Sequence, residues 1–224
     1  MIADNLERIK ENISKAAEKS GRKASDITLV AVTKNVGLPE CNALLDAGHN
    51  IFGENRVQSL NEKYETLKDS VTWHLIGHLQ TNKVKYIMDK VSLIHSVDSV
   101  HLAEEINRLA QNKSMTKDIL LQVNVSGEES KFGMAESELF PTLDAISSME
   151  GIRVRGLMTI PPVSFEAGAN KKYFSRLYEL FEKMKANQGS NIFADYLSMG
   201  MSDDYADAVE EGANIVRVGR ALYI

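Results

Sequence analysis

The sequence has little of several features that would each place a protein in a specialised class. Its one cysteine, Cys41, cannot form a disulfide within the chain, which favours a reducing, cytoplasmic location. No apolar run reaches the roughly 18 residues that a membrane-spanning helix needs, and the N-terminal segment lacks the apolar core of a signal peptide. Acidic residues number 31 against 26 lysines and arginines, which argues against nucleic acid as a partner.

Proline is also scarce, with four in the chain, and no low-complexity tract, internal repeat or linker is visible. The remaining composition is that of an ordinary globular protein, with 43% hydrophobic and 25% charged residues. A chain of 224 residues is long enough to bury a full core. We therefore predict a single domain over residues 1–224. We also expect a monomer, although this expectation does not follow from length or composition.

Short apolar runs alternate with helical patterns from residue 27 onward. An amphipathic segment precedes them and predicts an N-terminal helix that ends near Ser20 and Gly21. A helical pattern follows each of the first seven runs. The clearest lies in residues 170–186, where we expect one shared face for Tyr173, Phe174, Leu177, Tyr178, Phe181 and Met184. Eight runs predict strands, at residues 27–34, 50–55, 72–77, 92–98, 118–126, 152–160, 195–201 and 214–219.

Strands that alternate with helices indicate an α/β fold with a parallel sheet. Eight such units most economically close into a single (β/α)8 TIM barrel, here with an extra N-terminal helix. An open, doubly wound sheet is the alternative. That fold typically has a glycine-rich turn after its first strand, and residues 33–40, TKNVGLPE, do not match that motif.

Lys34 is the first residue that does not fit a buried strand. It ends the predicted first strand, at the end of the barrel where barrel enzymes build their active sites. One interpretation is a rim lysine with a packed stem and a solvated ammonium group. The other is an amine that forms a Schiff base, because partial burial would favour the neutral, nucleophilic form.

The last two strands offer complementary polar groups. Small residues and Ser202 follow the seventh strand, with Ser202 predicted to cap the next helix, and Gly219 allows close backbone approach after the eighth. Such loops frequently bind phosphate in barrels, although they could equally be ordinary turns. Arg217 lies between two valines inside the last strand, so its side chain faces opposite to theirs. A buried arginine needs a partner, which is either a ligand or a carboxylate such as Glu54. A lysine amine, a phosphate site and a buried arginine together describe a site for pyridoxal 5′-phosphate (PLP).

Seven motifs in order along the chain resemble those of the pyridoxal-phosphate homeostasis protein family, whose members look like the barrel domain of alanine racemase standing alone. The resemblance runs from about residue 27 to residue 219. The motifs are AVTK (31–34), FGENRVQ (52–58), WHLIGHLQTNK (73–83), HSVDS (95–99), GLMTI (156–160), LSMGMSDD (197–204) and VRVG (216–219).

The resemblance implies a role for each motif residue. Lys34 would hold PLP as an internal aldimine, Asn55 would lie near the O3′ side of the ring, and Arg217 would face the pyridine nitrogen. The phosphate would be bound by Ser198 and by the backbone of Gly219 and Arg220. The family commonly has a small hydroxyl residue at position 220, so Arg220 is a departure that either substitutes electrostatically or points to solvent.

Two further residues are candidates for the cofactor site. His74, within the third strand, is either a core histidine or lies beside the cofactor, and Met158, at the end of the sixth, either packs in the core or lies against the flat ring. A metal site is not expected, because His74 and His78 have a four-residue spacing that suits a metal only on a helix.

The function implied by the resemblance is a PLP carrier that serves vitamin B6 homeostasis and cofactor supply through transient contact with apo-enzymes, without catalytic turnover. Racemisation needs a second base, and the chain ends too soon after its last strand to include the domain that supplies it in alanine racemases. Tyr205 is the one tyrosine predicted to lie near the strand-7 loop. A weak amino-acid racemase and a Schiff-base aldolase remain as alternatives.

Overall fold

The computed structural model describes residues 1–128, 131–164, 166–186 and 189–224. The strands are β1 Thr28–Val32, β2 Ile51–Glu54, β3 Thr72–Leu75, β4 Val91–Val97, β5 Lys117–Gln122, β6 Ile152–Met158, β7 Ile192–Ser198 and β8 Ile215–Val218. The α-helices are α1 Ile2–Lys19, α2 Leu38–Asp46, α3 Val57–Leu67, α4 Val100–Asn112, α5 Leu139–Ile146, α6 Lys171–Ala186, α7 Tyr205–Glu210 and α8 Arg220–Tyr223.

The strands form a closed parallel barrel in chain order. Closure is made by β1, which pairs in parallel with β2 on one side and with β8 on the other, where Val30 lies opposite Arg217. The predicted (β/α)8 barrel with an extra N-terminal helix is confirmed, and the doubly wound alternative is wrong. The prediction of a single domain over residues 1–224 stays a prediction.

Alternation along the strands separates two apolar layers. The larger cluster lies between the barrel and its helices and includes Val216 and Val218. The smaller cluster fills the barrel interior with Val30, Leu93, Leu120, Met158 and Ile215. Since side chains alternate between the two faces of a strand, Arg217 points into the barrel with Ile215, as its position between two valines predicts.

The predicted strand boundaries need correction. Lys34 lies in a turn beyond β1, and β7 begins three residues before the predicted start at residue 195. The helical stretch predicted between β3 and β4 is a 3₁₀ helix, Thr81–Tyr86. Tyr173 and Tyr178 are not buried in α6; Leu180 takes their place on the buried face.

The N-terminal helix α1 covers the last helix of the barrel. Its apolar stripe, with Leu6, Ile9 and Ile13, is buried, and it ends beside Ser20 and Gly21 as predicted. The Asn5 side chain donates a buried hydrogen bond of 3.1 Å to the carbonyl of Leu222 in α8. This bond ties the chain's two ends together beside the loop after β8. No helix in the described part of the chain is long and apolar enough to cross a membrane.

Candidate functional site

A cavity of about 690 Å³ opens at the carboxyl ends of β1, β2 and β8. Residues from the loops after these strands, the loop after β7 and the C-terminal helix α8 surround it. Its lining consists of Val32, Lys34, Asn35, Val36, Asn55, Ile76, Ile160, Met201, Ser202, Asp203, Arg217, Gly219, Arg220, Tyr223 and Ile224. Five of the eight predicted site residues therefore share one cavity, namely Lys34, Asn55, Arg217, Gly219 and Arg220.

Lys34 stands in the turn between β1 and α2 and is exposed. No hydrogen bond or ion pair engages its ammonium group within the described residues, so the amine is free to meet a ligand. The expectation of partial burial is wrong, because β1 ends at Val32 and places Lys34 two residues beyond the barrel wall. An accessible amine on a short turn remains well placed for attack on a carbonyl group.

Asn55 follows β2 and lies against the backbone of Gly77. A β-carbon at Gly77 would come within 2.3 Å of the Asn55 carbonyl oxygen, so only glycine allows the two loops to approach this closely. This contact sets the position of Asn55 at the cavity.

Arg217 projects from β8 to the floor of the cavity and is 3% exposed. Its Nη1 donates to the Ser198 hydroxyl at 2.6 Å, and its Nη2 donates to the Thr159 carbonyl at 2.9 Å. Burial lowers the pKa of Arg217 to about 10, against a smaller opposing effect of Asp204, and the group stays charged at neutral pH. The alternative of an ion pair with Glu54 is wrong.

Glu54 instead points outward from β2 and pairs with Lys63 of α3. The Lys63 ammonium lies 2.5 Å from Glu54 Oε1 and donates to the Thr33 carbonyl, while the Thr33 hydroxyl donates to the same carboxylate oxygen. The second oxygen, Oε2, is buried and has no hydrogen-bond partner among the described residues. The pair anchors the ends of β1 and β2 outside the barrel interior.

Three predicted site residues do not line the cavity. Met158 packs in the barrel interior below it. Ser198 is fully buried, and its hydroxyl contacts His95 and Arg217. His74 lies 2.9 Å from His95 through their ring nitrogens. The structure thus places His74 and Ser198 behind Arg217, because their strands direct them inward below the rim.

The loop after β7 supplies a different serine to the cavity. The Ser202 hydroxyl accepts hydrogen bonds from the backbone N–H groups of Gly219 at 3.2 Å and Ala221 at 3.3 Å. It does not cap α7, whose N-cap is Asp204. On the rim next to this serine, Arg220 forms an ion pair with Asp203. Hydroxyl, backbone donors and a cation therefore meet at one end of the cavity.

Tyr223 was not predicted at the site, yet it lines the cavity from α8. Its hydroxyl is buried without a hydrogen-bond partner among the described residues, and burial raises its pKa, with smaller effects of Cys41 and Glu54. The sequence could not place Tyr223 at the site, because it lies beyond the last predicted strand and no strand pattern indicates where its side chain points. Tyr205, the tyrosine expected near the strand-7 loop, lies away from the cavity, where its hydroxyl accepts a hydrogen bond from Asn12 of α1.

Comparison with known proteins identifies the family. A family model for the N-terminal domain of alanine racemase matches residues 5–224. A pyridoxal phosphate homeostasis protein of Aquifex aeolicus is 42% identical over 98% of this chain and 96% of its own length. The chain belongs to the pyridoxal phosphate homeostasis protein family. Another member of this family, from Pseudomonas aeruginosa, is 37% identical over 99% of the chain and 94% of its own length.

Solved structures agree with this family assignment. PipY of Synechococcus elongatus PCC7942, solved with PLP bound, is 31% identical, has a TM-score of 0.87 and matches over 100% of both chains. An alanine racemase of Clostridium difficile 630 is 17% identical, with a TM-score of 0.75 over 98% of this chain and 59% of its own. This second likeness shows the fold alone.

Proposed function

We propose that the protein binds PLP in this cavity, holds it as a Schiff base on Lys34, and serves vitamin B6 homeostasis as a cofactor carrier. The observation that carries the proposal is that Lys34, Arg217 and Ser202 line the same cavity. An amine, a guanidinium and a hydroxyl with backbone donors match the aldehyde, the ring nitrogen and the phosphate of PLP. The cavity volume of about 690 Å³ also lies within the usual range for ligand sites.

The chain's own residues divide the work of holding this ligand. Bound PLP supplies a reactive aldehyde, and the free amine of Lys34 is the group that would capture it. Arg217, already fixed by Ser198 and Thr159, would donate to the ring nitrogen. Asn55 would lie at the O3′ side, held there by its contact with Gly77.

The phosphate would lie at the Ser202 end of the cavity. We assign the hydroxyl contact to Ser202 and not to Ser198, whose hydroxyl is committed to Arg217 and His95. The backbone N–H groups of Gly219 and Ala221 donate to the Ser202 hydroxyl. With phosphate bound, these N–H groups would also donate to a phosphate oxygen. Arg220 adds a positive charge on the same rim.

A carrier role, without catalytic turnover, is supported by the groups around the cavity. Racemisation requires a second proton-transfer group opposite the lysine. Tyr223 is the tyrosine in the described lining, and its raised pKa makes it a poor base at neutral pH. Arg217 can only donate to the ring nitrogen, which keeps the ring a weak electron sink. The names of the relatives describe homeostasis.

A weak amino-acid racemase is the second candidate, because Tyr223 shares the cavity with Lys34. Exchange of the Cα proton of alanine for deuterium, followed by NMR, separates the two functions. The carrier predicts no exchange above that of free PLP, whereas exchange that depends on Tyr223 would support the racemase. The aldolase alternative is disfavoured by the family.

The direct test of the proposal is titration of the purified protein with PLP, followed by visible absorbance. Wild type should show a stoichiometric Schiff-base band, Lys34→Ala should lose it, and Lys83→Ala is the matched control that should keep it. A wild-type spectrum identical to that of free PLP would overturn the proposal.

Transfer of PLP to an apo-enzyme tests the carrier half of the proposal. The loaded protein should reactivate an apo-enzyme while Lys34→Ala does not, and failure of the loaded wild type to do so would contradict it. We place this transfer in the cytoplasm and with a monomeric carrier. The buried, unpaired thiol of Cys41 suits a reducing compartment.

A further inference from the structure

A chain of hydrogen bonds crosses the barrel interior behind the cavity, from β3 through β4 and β7 to β8. His74 Nδ1 lies 2.9 Å from His95 Nε2, and His95 Nδ1 lies 2.9 Å from the Ser198 hydroxyl oxygen. Arg217 Nη1 completes it with a 2.6 Å hydrogen bond to the same hydroxyl. His95 and Ser198 are fully buried, so this chain has to satisfy its own donors and acceptors.

Counting the hydrogens gives the chain a direction. A guanidinium has donors only, so the Ser198 oxygen accepts from Arg217. If Ser198 then donates its own hydrogen to His95 Nδ1, His95 carries its proton on Nε2 and donates to His74 Nδ1. Every contact then has one donor and one acceptor. In the reverse arrangement Ser198 accepts twice and its hydrogen has no acceptor among the described residues.

Both imidazoles have to be neutral for this arrangement. Burial lowers the pKa of His74 to about 4. Burial also lowers the pKa of His95 well below its usual value, and the neighbouring His74 and Arg217 lower it further. A second proton on His95 would remove the acceptor that Ser198 needs and would place a cation next to Arg217. Neutral His95 is thus the form that the geometry requires.

We propose that His95 is a positioning residue that acts through Ser198 to fix the guanidinium of Arg217 at the cavity floor. With Nη1 bound to Ser198 and Nη2 to the Thr159 carbonyl, the plane of the guanidinium cannot rotate. Its remaining donors are then aimed at the cavity before any ligand arrives. That these donors meet the pyridine nitrogen of PLP rests on the proposed function. The order of donors and acceptors from Arg217 to His74 does not depend on it.

The direction can be measured without a ligand. The protein has five histidines, and ¹⁵N NMR of histidine-labelled protein distinguishes the two neutral tautomers, with His95→Asn identifying the signal. We expect His95 to be protonated on Nε2 and unprotonated on Nδ1 throughout the range from pH 8 to pH 5. A proton on Nδ1, or a titration in that range, would overturn the proposal even if PLP does not bind.

The link to the cavity is tested by a double-mutant cycle in the full chain. Ser198→Ala removes a hydrogen bond to the charged Arg217, and His95→Leu leaves the buried Ser198 hydroxyl hydrogen without an acceptor, so each should weaken PLP binding by about 10-fold. The double variant should lose no more than one of them, because both remove the same link. Each should also shift the pH at which the absorbance of bound PLP changes. The control is Ser92→Ala, because Ser92 lies on the same strand as His95 but takes no part in this series of hydrogen bonds.

Rescue by a conservative variant separates positioning from packing. Asparagine at position 95 offers an acceptor where Nδ1 stands, so His95→Asn should recover most of the affinity and the pH behaviour. Additive losses in the cycle, or a folded His95→Leu with wild-type affinity and spectrum, would overturn the proposal. If His95→Leu does not fold, the proposal is decided by the PLP affinity of Ser198→Ala together with the His95 tautomer measured in wild type. If wild type itself does not bind PLP, the proposed function fails and the NMR result still stands.

Discussion

The ion pair between Arg220 and Asp203 lies on the cavity rim, with 57% and 50% of the side chains exposed. A phosphate that binds at Ser202 has to compete with Asp203 for the Arg220 charge. Asp203→Asn should therefore strengthen PLP binding about threefold and Arg220→Ala should weaken it about threefold, both more at low salt. Pyridoxal, which lacks the phosphate, is the control ligand. Equal changes for PLP and pyridoxal would refute this assignment.

The buried pair of Lys63 and Glu54 makes a prediction about stability. Lys63→Met leaves a carboxylate that is 0% exposed without its counter-charge, and this should lower the free energy of unfolding by about 3–5 kcal/mol. Urea denaturation measures the change. The double variant Lys63→Met/Glu54→Gln is the matched control and should recover most of the loss. A double variant no more stable than Lys63→Met would contradict an electrostatic origin.

At the level of single residues, the sequence predicted the cavity better than the interior behind it. Lys34 and Arg217 were found because a charged side chain at a strand end, or between two valines, is out of place in an apolar pattern. The structure places Ser202 at the cavity and buries Ser198 behind it, and a strand end that is uncertain by a few residues decides which of the two serines faces the cavity. The link from Ser198 to His95 spans 103 positions, and no local pattern encodes it.

At the level of elements, all eight strands were predictable because each is a short apolar run bounded by polar turns. Their ends were extended too far, because residues such as Thr33 continue the β-branched pattern after the ladder has ended. After β3 the sequence predicted a helical stretch without fixing its length or its type. It is a six-residue 3₁₀ turn, Thr81–Tyr86, and such turns lack the length that gives a helix its periodicity.

The contact between the loops after β2 and β3 yields a prediction for a glycine. Gly77→Ala would place its β-carbon 2.3 Å from the Asn55 carbonyl oxygen, so the loops have to move apart. We expect PLP binding to weaken by about 10-fold or more, since small misplacements of positioning groups are costly. Gly189→Ala is the control, because its nearest neighbour would lie at 3.8 Å. Unchanged affinity in Gly77→Ala would show that Asn55 does not depend on this contact.

For the whole molecule, closure of the barrel converts sequence order into a site. Residues from the first strand and the last meet because β1 pairs with β8, so Lys34 and Arg217 share a cavity although they are far apart in sequence. The helix α1 supports this seam from outside through Asn5 and Leu222. The alternation of apolar runs and helices could predict the closure. The side-chain contacts at this seam could not be predicted from the sequence, because they join residues from opposite ends of the chain.

Buried histidines make the stability of the whole fold depend on pH. Burial lowers the pKa of His49, His74 and His95 in the folded state. Below about pH 6.5 these histidines bind protons in the unfolded chain but not in the folded protein. The free energy of unfolding therefore decreases as the pH falls, down to the folded-state pKa of about 4 for His74. At pH 5 His74 alone should cost about 2 kcal/mol, because a tenfold difference in proton affinity between the folded and unfolded chain corresponds to about 1.4 kcal/mol. Urea unfolding of wild type and His74→Leu at pH 7 and pH 5 measures this difference. The variant should lose less stability between the two values, and equal losses would exclude His74 as a source of the pH dependence.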